Sequence, residues 1–317
     1  MVASRPAPPG LADELRAKAP LADAVVIYSY KSHEIGRTIV QALGLPAVLR
    51  QHNLEGRYHH ALAAAASPPR SWAMRLEAGW IERDERRLER APWLTGIADI
   101  SMSDAAVRSS RATVPVEYVP TFALGPRTTA VATAWRPDGP RSVVFLGALD
   151  VATNHDALTW FAGQVWPQVL REVPDARWQI VGRKPTPLVH QLVRQTARTE
   201  LHADVESPAE YLSSAAVAIN PAVSGSGVNI KLVEYLANGV PVLSTTRGMQ
   251  GLGLVPDEDL AVADQPATFA RRLARLLSQP DEAARLAATG HDKALEILDT
   301  RTSLDKVADL LTRSPPA

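Results

Sequence analysis

Short runs of apolar, largely β-branched residues alternate with longer segments of helical period along most of this chain. That alternation constrains the fold more than any other feature. The runs are AVVIYS (24–29), AVLRQH (47–52), GIADIS (96–101), VEYVP (116–120), SVVFLG (142–147), RWQIVG (177–182), AVAINP (216–221), VPVLST (240–245) and LAVA (260–263). Between them lie segments such as NHDALTWFAGQVWPQVLREV, which sets Leu158, Phe161, Val165 and Val169 at helical spacing. A strand, a helix and a further strand in succession build parallel sheet, so the expected class is α/β with doubly wound parallel sheets.

The 317 residues suffice for about two domains of ordinary size. The segment GPRTTAVATAWRPDGPR (125–141) has no period and is broken by proline and glycine, which marks a linker. The boundaries expected are therefore an N-terminal unit over 1–124, a linker over 125–140, a C-terminal unit over 141–300, and a closing helix and tail over 301–317. The first unit holds only about four strand runs, few for a doubly wound domain. The closing helix, within TSLDKVADLLTR, is expected to bury Leu304, Val307 and Leu311 on one face.

Lys plus Arg and Asp plus Glu are 34 each, so there is no basic excess of the kind that nucleic-acid binding needs. Cysteine is absent, which removes disulfides, thiol nucleophiles and cysteine zinc sites together. The first twenty residues lack the apolar core of a secretory signal, and no apolar run reaches the length of a membrane span. A cytoplasmic location is the expectation.

One stretch carries chemistry: SGSGVNIKLVEYLANGVPVLST, residues 224–245. A helix should start at Asn229, a good N-cap, and stop at Asn238–Gly239 with Pro241 beyond. Its spacing puts Ile230, Val233, Leu236 and Ala237 on an apolar arc, with Lys231, Glu234 and Tyr235 opposite. The preceding glycines can adopt positive φ, and a glycine loop running into a helix N-terminus is an anion site. A lysine in that first turn opposes the helix dipole unless an anion is bound there. Glu234, one turn on, suits a sugar hydroxyl as donor. The same residues also suit a surface Lys–Glu pair after a flexible loop. The stretch is neither a Walker A loop nor a dinucleotide fingerprint, because Lys231 is flanked by Ile230 and Leu232 and no glycine stands at 230.

SGSGVNIKLVEYLANGVPVLSTTRGMQGL resembles the donor-binding segment of retaining GT-B glycosyltransferases, the glycosyl transferases group 1 family. VVFLGALDVATNHDALTWFAGQVWPQVLREVPDARWQIVGRKP is similar to the opening of that family's C-terminal domain, and AVLRQHNLEGRYH to an N-domain strand ending in His-Asn-x-Glu. The resemblance implies two Rossmann-like domains facing a cleft, and transfer of a sugar from a nucleoside diphosphate sugar to an acceptor hydroxyl with retained configuration. It implies that Glu234 holds the ribose hydroxyls, that Gly225, Ser226 and Gly227 line the diphosphate, and that Lys231 neutralises it. His52 matches the histidine that faces the donor sugar. No metal and no cofactor beyond the donor are expected.

The chain departs from the family pattern in three places. Many relatives carry an acidic residue eight before the ribose glutamate; here that position is Ser226. Relatives often carry an arginine and a lysine after the first strand of the C-terminal domain; here Ala148 and Thr153 stand there, followed by Asn154. A branch of the family lacks these basic residues and has a Pro-Asn or similar element instead, and that resemblance implies Asn154 as a donor-binding residue. Lys231 would then be the main cation left. Several βα units that open the family's N-domain have no counterpart, so the resemblance implies a shortened N-terminal domain. That sets a second reading beside the enzyme: an accessory GT-B-like subunit whose N-domain a protein partner completes. The acceptor expected is a glycan, a lipid-linked or a small molecule.

Three further stretches carry charged or metal-ligating residue types. DED at 257–259 has the look of an Asp-x-Asp metal motif but falls in a loop. His59 and His60 are adjacent, which argues against a zinc pair on one helix face and for a loop. The arginine-rich stretch 70–93 suggests peripheral contact with anionic lipid, against which stand interspersed acids able to pair within the helix.

Overall fold

The computed structural model describes residues 8, 10–18, 22–65, 67–120, 141–225 and 227–313. The proposed linker and Ser226 lie outside them. The chain divides into two compact units, Met1–Phe122 with Asp299–Ala317, and Ala123–Leu298.

The first unit contains α1 (Leu11–Lys18), β1 (Val25–Tyr28), α2 (His33–Leu43), β2 (Ala47–Gln51), α3 (Glu55–Ala65), α4 (Arg70–Leu88), β3 (Gly96–Asp99), α5 (Met102–Ser109) and β4 (Val116–Tyr118). Its four strands are parallel in the order β1-β2-β3-β4. Right-handed crossovers that all step the same way put their helices on one face of a sheet. On that face Ile27, Ala47, Leu49 and Ile97 form a core with Val40, Ile81 and Leu88. The other face, with Val48, Ala98 and Val119, meets Val307 and Leu310 from the closing helix. Gly96 permits this approach, since a Cβ there would lie 2.6 Å from a Leu310 methyl carbon.

A buried charge cluster ties the helices to the sheet. Arg108, fully buried, donates to Asp99 at 2.9 Å, to Glu89 at 2.8 Å and to Glu85 at 3.1 Å. Glu85 also accepts the Glu55 and Gly56 backbone N–H groups at the start of α3. Burial works against the Arg108 charge, but Asp99, Glu85 and Glu89 outweigh it and push the pKa above the usual value. Burial dominates at Asp99, which is raised to about 6 despite the arginine.

The second unit contains β5 (Ser142–Ala148), α6 (Ala152–Trp160), α7 (Trp166–Glu172), β6 (Arg177–Arg183), α8 (Pro187–Gln195), β7 (Thr199–Ala203), α9 (Ala209–Ser213), β8 (Val217–Asn220), α10 (Ile230–Ala237), β9 (Val242–Ser244), β10 (Ala261–Val262), α11 (Pro266–Ser278) and α12 (Pro280–Ile297). A π-helical turn, Phe161–Val165, joins α6 to α7. The expected stripe Leu158, Phe161, Val165 and Val169 is fully buried there. The six strands run in the order β10-β9-β8-β5-β6-β7. This is the doubly wound order, and it reverses between β5 and β8. Ligands of such sheets bind outside the carboxyl ends of the strands at that reversal.

Several expectations need correction. The edge strand β7, TELHA, was missed because its residues are polar and only partly covered. The closing helix α13 (Thr300–Thr312) buries Ser303, Val307 and Leu310, while Leu304 is 54% exposed. The sheet selects the 303-307-310 seam, with Leu311 only partly buried. His59 and His60 lie within α3 rather than in a loop.

Candidate nucleotide-binding site

The loop 221–229 leaves β8 and enters α10 at the switch point of the second sheet. Two glycines make its path possible, Gly225 at φ 90° and Gly227 at φ 99°, both in the region that side chains disfavour. Gly225 also runs close to Thr153, where a Cβ would lie 2.9 Å from the threonine methyl. Flanking side chains pin the loop. Ser224 donates to Asp156 at 2.5 Å, and Arg247 donates to the Gly225 carbonyl at 2.9 Å.

Asn229 occupies the N-cap position of α10 but caps it without a side-chain bond. Its amide instead donates to the Gly248 carbonyl at 3.0 Å, anchoring the helix start to the loop after β9. The helix stops at Asn238, with Gly239 in the left-handed region, as its sequence implies. The expected apolar arc is rotated. Ile230 is 41% exposed, whereas Tyr235 is fully buried. The reason is tertiary: pairing of β5 to β8 runs through Val144, and two residues further the Leu146 N–H donates to the Tyr235 hydroxyl oxygen at 2.7 Å. The phenol thus satisfies a backbone donor that the sheet leaves over.

Lys231 points into the protein. Its Nζ donates to the Asn154 side-chain oxygen at 2.8 Å and lies 4.1 Å from the centre of the Phe145 ring. The Asn154 amide nitrogen donates in turn to the Ala148 carbonyl at 2.9 Å. Asn154 is therefore a strut between the end of β5 and the lysine. Burial lowers the Lys231 pKa from its ordinary 10.5 to about 7.

Beside this lysine opens a cavity of about 440 Å³. Its walls come from the carboxyl ends of β5 and β6, the segment after β7, and the first turns of α10 with Ile230, Lys231 and Glu234. Glycines make its floor: a Cβ on Gly182 would collide with the Gly147 carbonyl oxygen, and one on Gly147 would press on Asn154. Sequence reasoning missed Gly147, Gly182, Arg183, Glu206 and Tyr235. The two glycines, Gly147 closing the run 142–147 and Gly182 closing 177–182, were the available signal. Arg183 in the wall and Arg247 on the loop also qualify the expectation that Lys231 is the main cation here.

Lys231, Glu234, Asn154, Gly225 and Gly227 thus all belong to the second unit, around one switch point. His52 belongs to the first unit, just beyond β2, partly buried. Burial, and then the neighbouring Arg50, lower its pKa, which favours the neutral imidazole. The two aspartates of DED are engaged structurally. Asp257 pairs with Arg272 at 2.6 Å, and Asp259 accepts the Val255 N–H at 2.7 Å. Among the described residues no group of three or more His, Cys, Asp or Glu is placed to hold a metal ion. None of their helices is long and apolar enough to cross a membrane.

Residues 140–279 match the family model described as glycosyl transferases group 1. A curated relative, an uncharacterized 44.6 kDa protein in the cps region of Klebsiella pneumoniae, is 29% identical over 140 residues. That match covers 42% of this chain and 36% of the relative, so the chain matches about a third of the relative's length. Among solved structures, TarM of S. aureus superposes with a TM-score of 0.70 at 10% identity, covering 95% of this chain and 58% of TarM. A UDP-forming trehalose-phosphate synthase of Burkholderia xenovorans gives 0.67 at 13% identity, covering 96% and 77%. Sucrose-phosphate synthase of Thermosynechococcus elongatus gives 0.65 at 17%, covering 95% and 76%. The fold is GT-B-like, with two Rossmann-like α/β units.

Proposed function

We propose that this chain is a glycosyltransferase that moves a sugar from a nucleoside diphosphate sugar to an acceptor hydroxyl, with retention and without a metal ion. The observation that carries the reading is Lys231 at the start of α10, half-buried and turned inward to Asn154, beside a cavity at the sheet's switch point. A first helical turn leaves backbone N–H groups free, and its dipole favours an anion. A lysine held there at the cost of its own charge is explained by a diphosphate that restores it.

In this reading the nucleoside enters the cavity, Glu234 accepts from the ribose hydroxyls, and the diphosphate lies across Gly225, Ser226, Gly227 and the α10 N-terminus. The bond from the anomeric carbon to the diphosphate breaks and a bond to the acceptor oxygen forms. The acceptor's proton passes to the departing phosphate oxygen. Catalysis is mainly electrostatic, with fixed donors meeting the charge that grows on the leaving group. Lys231 and the loop N–H groups supply what a metal would supply elsewhere. His52, by the resemblance of its strand, is the histidine that would face the transferred sugar. The family match over 140–279 and the UDP named with two of the structural neighbours support the donor class.

Calorimetric titration with UDP, GDP and ADP, repeated on Glu234→Ala and Lys231→Met, tests the reading. One nucleotide should bind, and both variants should weaken it at least about tenfold. Failure of all three nucleotides to bind would sink it. Nucleotide binding with no sugar transfer to any acceptor extract would favour the accessory-subunit reading instead.

A further inference from the structure

The helix α4 is amphipathic twice over. Its inner seam, Ser71, Ala78, Ile81, Glu85 and Leu88, is buried against the first unit. Its outer face carries a second apolar stripe at intervals of four, Trp72, Leu76 and Trp80, exposed by 63%, 73% and 71%. Nothing in the inner packing accounts for two tryptophans and a leucine in that position, and exposed apolar groups in a contiguous row mark contact surfaces.

The charges of α4 and its C-terminal continuation sort by side. Arg70, Arg75, Arg83, Arg86, Arg87 and Arg90 are all exposed, and no acid between 70 and 90 is. Asp84, Glu85 and Glu89 turn to the protein. Asp84 accepts the Tyr30 hydroxyl at 2.7 Å and lies 3.4 Å from His33. Glu85 and Glu89 hold Arg108, while Glu82 holds Arg86 at 2.8 Å and faces His60 at 3.5 Å. A stretch that reads as balanced in sequence is basic and apolar on its outside.

We infer that the outer face of α4 docks the protein on an anionic lipid surface, with Trp72, Leu76 and Trp80 entering the headgroup boundary and the arginines meeting lipid phosphates. Tryptophan favours that boundary, and a basic helix with an apolar stripe lies in its plane. A second copy of the chain fits poorly: pairing the face with itself would oppose two sets of arginines, with Asp84, Glu85 and Glu89 turned inward. The inference is independent of the glycosyltransferase reading.

Co-sedimentation with vesicles of phosphatidylcholine alone, and with added phosphatidylglycerol, tests it without any nucleotide. Wild type should bind the anionic vesicles, and more weakly at higher salt. The variant Trp72→Ser, Leu76→Ser, Trp80→Ser should lose binding while its circular dichroism melt is retained. The variant Arg75→Gln, Arg83→Gln, Arg87→Gln should lose the preference for anionic vesicles. Absence of wild-type binding, or undiminished binding by the serine variant, would overturn the inference. So would binding to polyglutamate but not to vesicles, which would assign the face to an acidic protein. A wild-type dimer in light scattering that the serine variant abolishes would assign it to a second copy.

Discussion

The Lys231 ammonium is held by the Asn154 side-chain oxygen at 2.8 Å over the ring of Phe145, in a place that burial makes costly for its charge. In the free protein burial thus opposes the charge at the head of α10 and brings its titration down to about neutral pH. This relationship sets the first two expectations.

Replacing Lys231 with Met should stabilise the free protein at and below neutral pH while weakening nucleoside diphosphate binding. The folded pKa is about 7 against an ordinary 10.5, so between those values the unfolded chain binds more protons. Wild-type stability should therefore rise with pH across that window, and Lys231→Met should flatten the rise. The gain at pH 6 should be on the order of a few kcal/mol and should fade by about pH 10. Thermal melts at several pH values check the first part. Diphosphate affinity in wild type should fall above pH 7 as the free lysine loses its proton.

Asn154→Ala removes the strut without touching the lysine. Binding of the diphosphate should weaken by about 1–2 kcal/mol, roughly tenfold, because the ammonium is no longer aimed. Asn154→Asp, which offers the same oxygen with a charge, should raise the lysine pKa. It should also reduce the proton uptake that accompanies binding, read by calorimetry in buffers of different ionisation enthalpy.

Tyr235→Phe should cost about 1–3 kcal/mol, because the Leu146 N–H is left buried without an acceptor. Leu146 lines the cavity, so the loss should appear in nucleotide affinity as well as in the denaturation midpoint.

Arg108→Met should destabilise the protein by about 3–5 kcal/mol by stranding Asp99, Glu85 and Glu89 in the interior. Part of that loss should be recovered below pH 6, where Asp99, already raised to about 6, takes up a proton. Urea melts at pH 5 and pH 8 measure the difference.

The fold class, nine of the ten strands described, the stop of α10 and the loop glycines at 225 and 227 were legible in the chain itself. Those features depend on local physics: β-branched runs, helical spacing, and the steric freedom of glycine. Lys231 could be recognised as anomalous because a helix dipole acts on any cation in its first turn. Other features depended on which surfaces meet in three dimensions. A buried Tyr235 and an exposed Ile230 follow from one unpaired N–H on β5, which no helical period encodes. The seam of α13 follows from the sheet face left bare by same-handed crossovers, and so Leu304 turns outward. Asn154 and Lys231 are 77 residues apart, and only the parallel sheet brings the end of β5 beside the start of α10. Sequence sets what each segment can bury, while the tertiary structure decides which polar groups remain unsatisfied, and those decide where the functional side chains go.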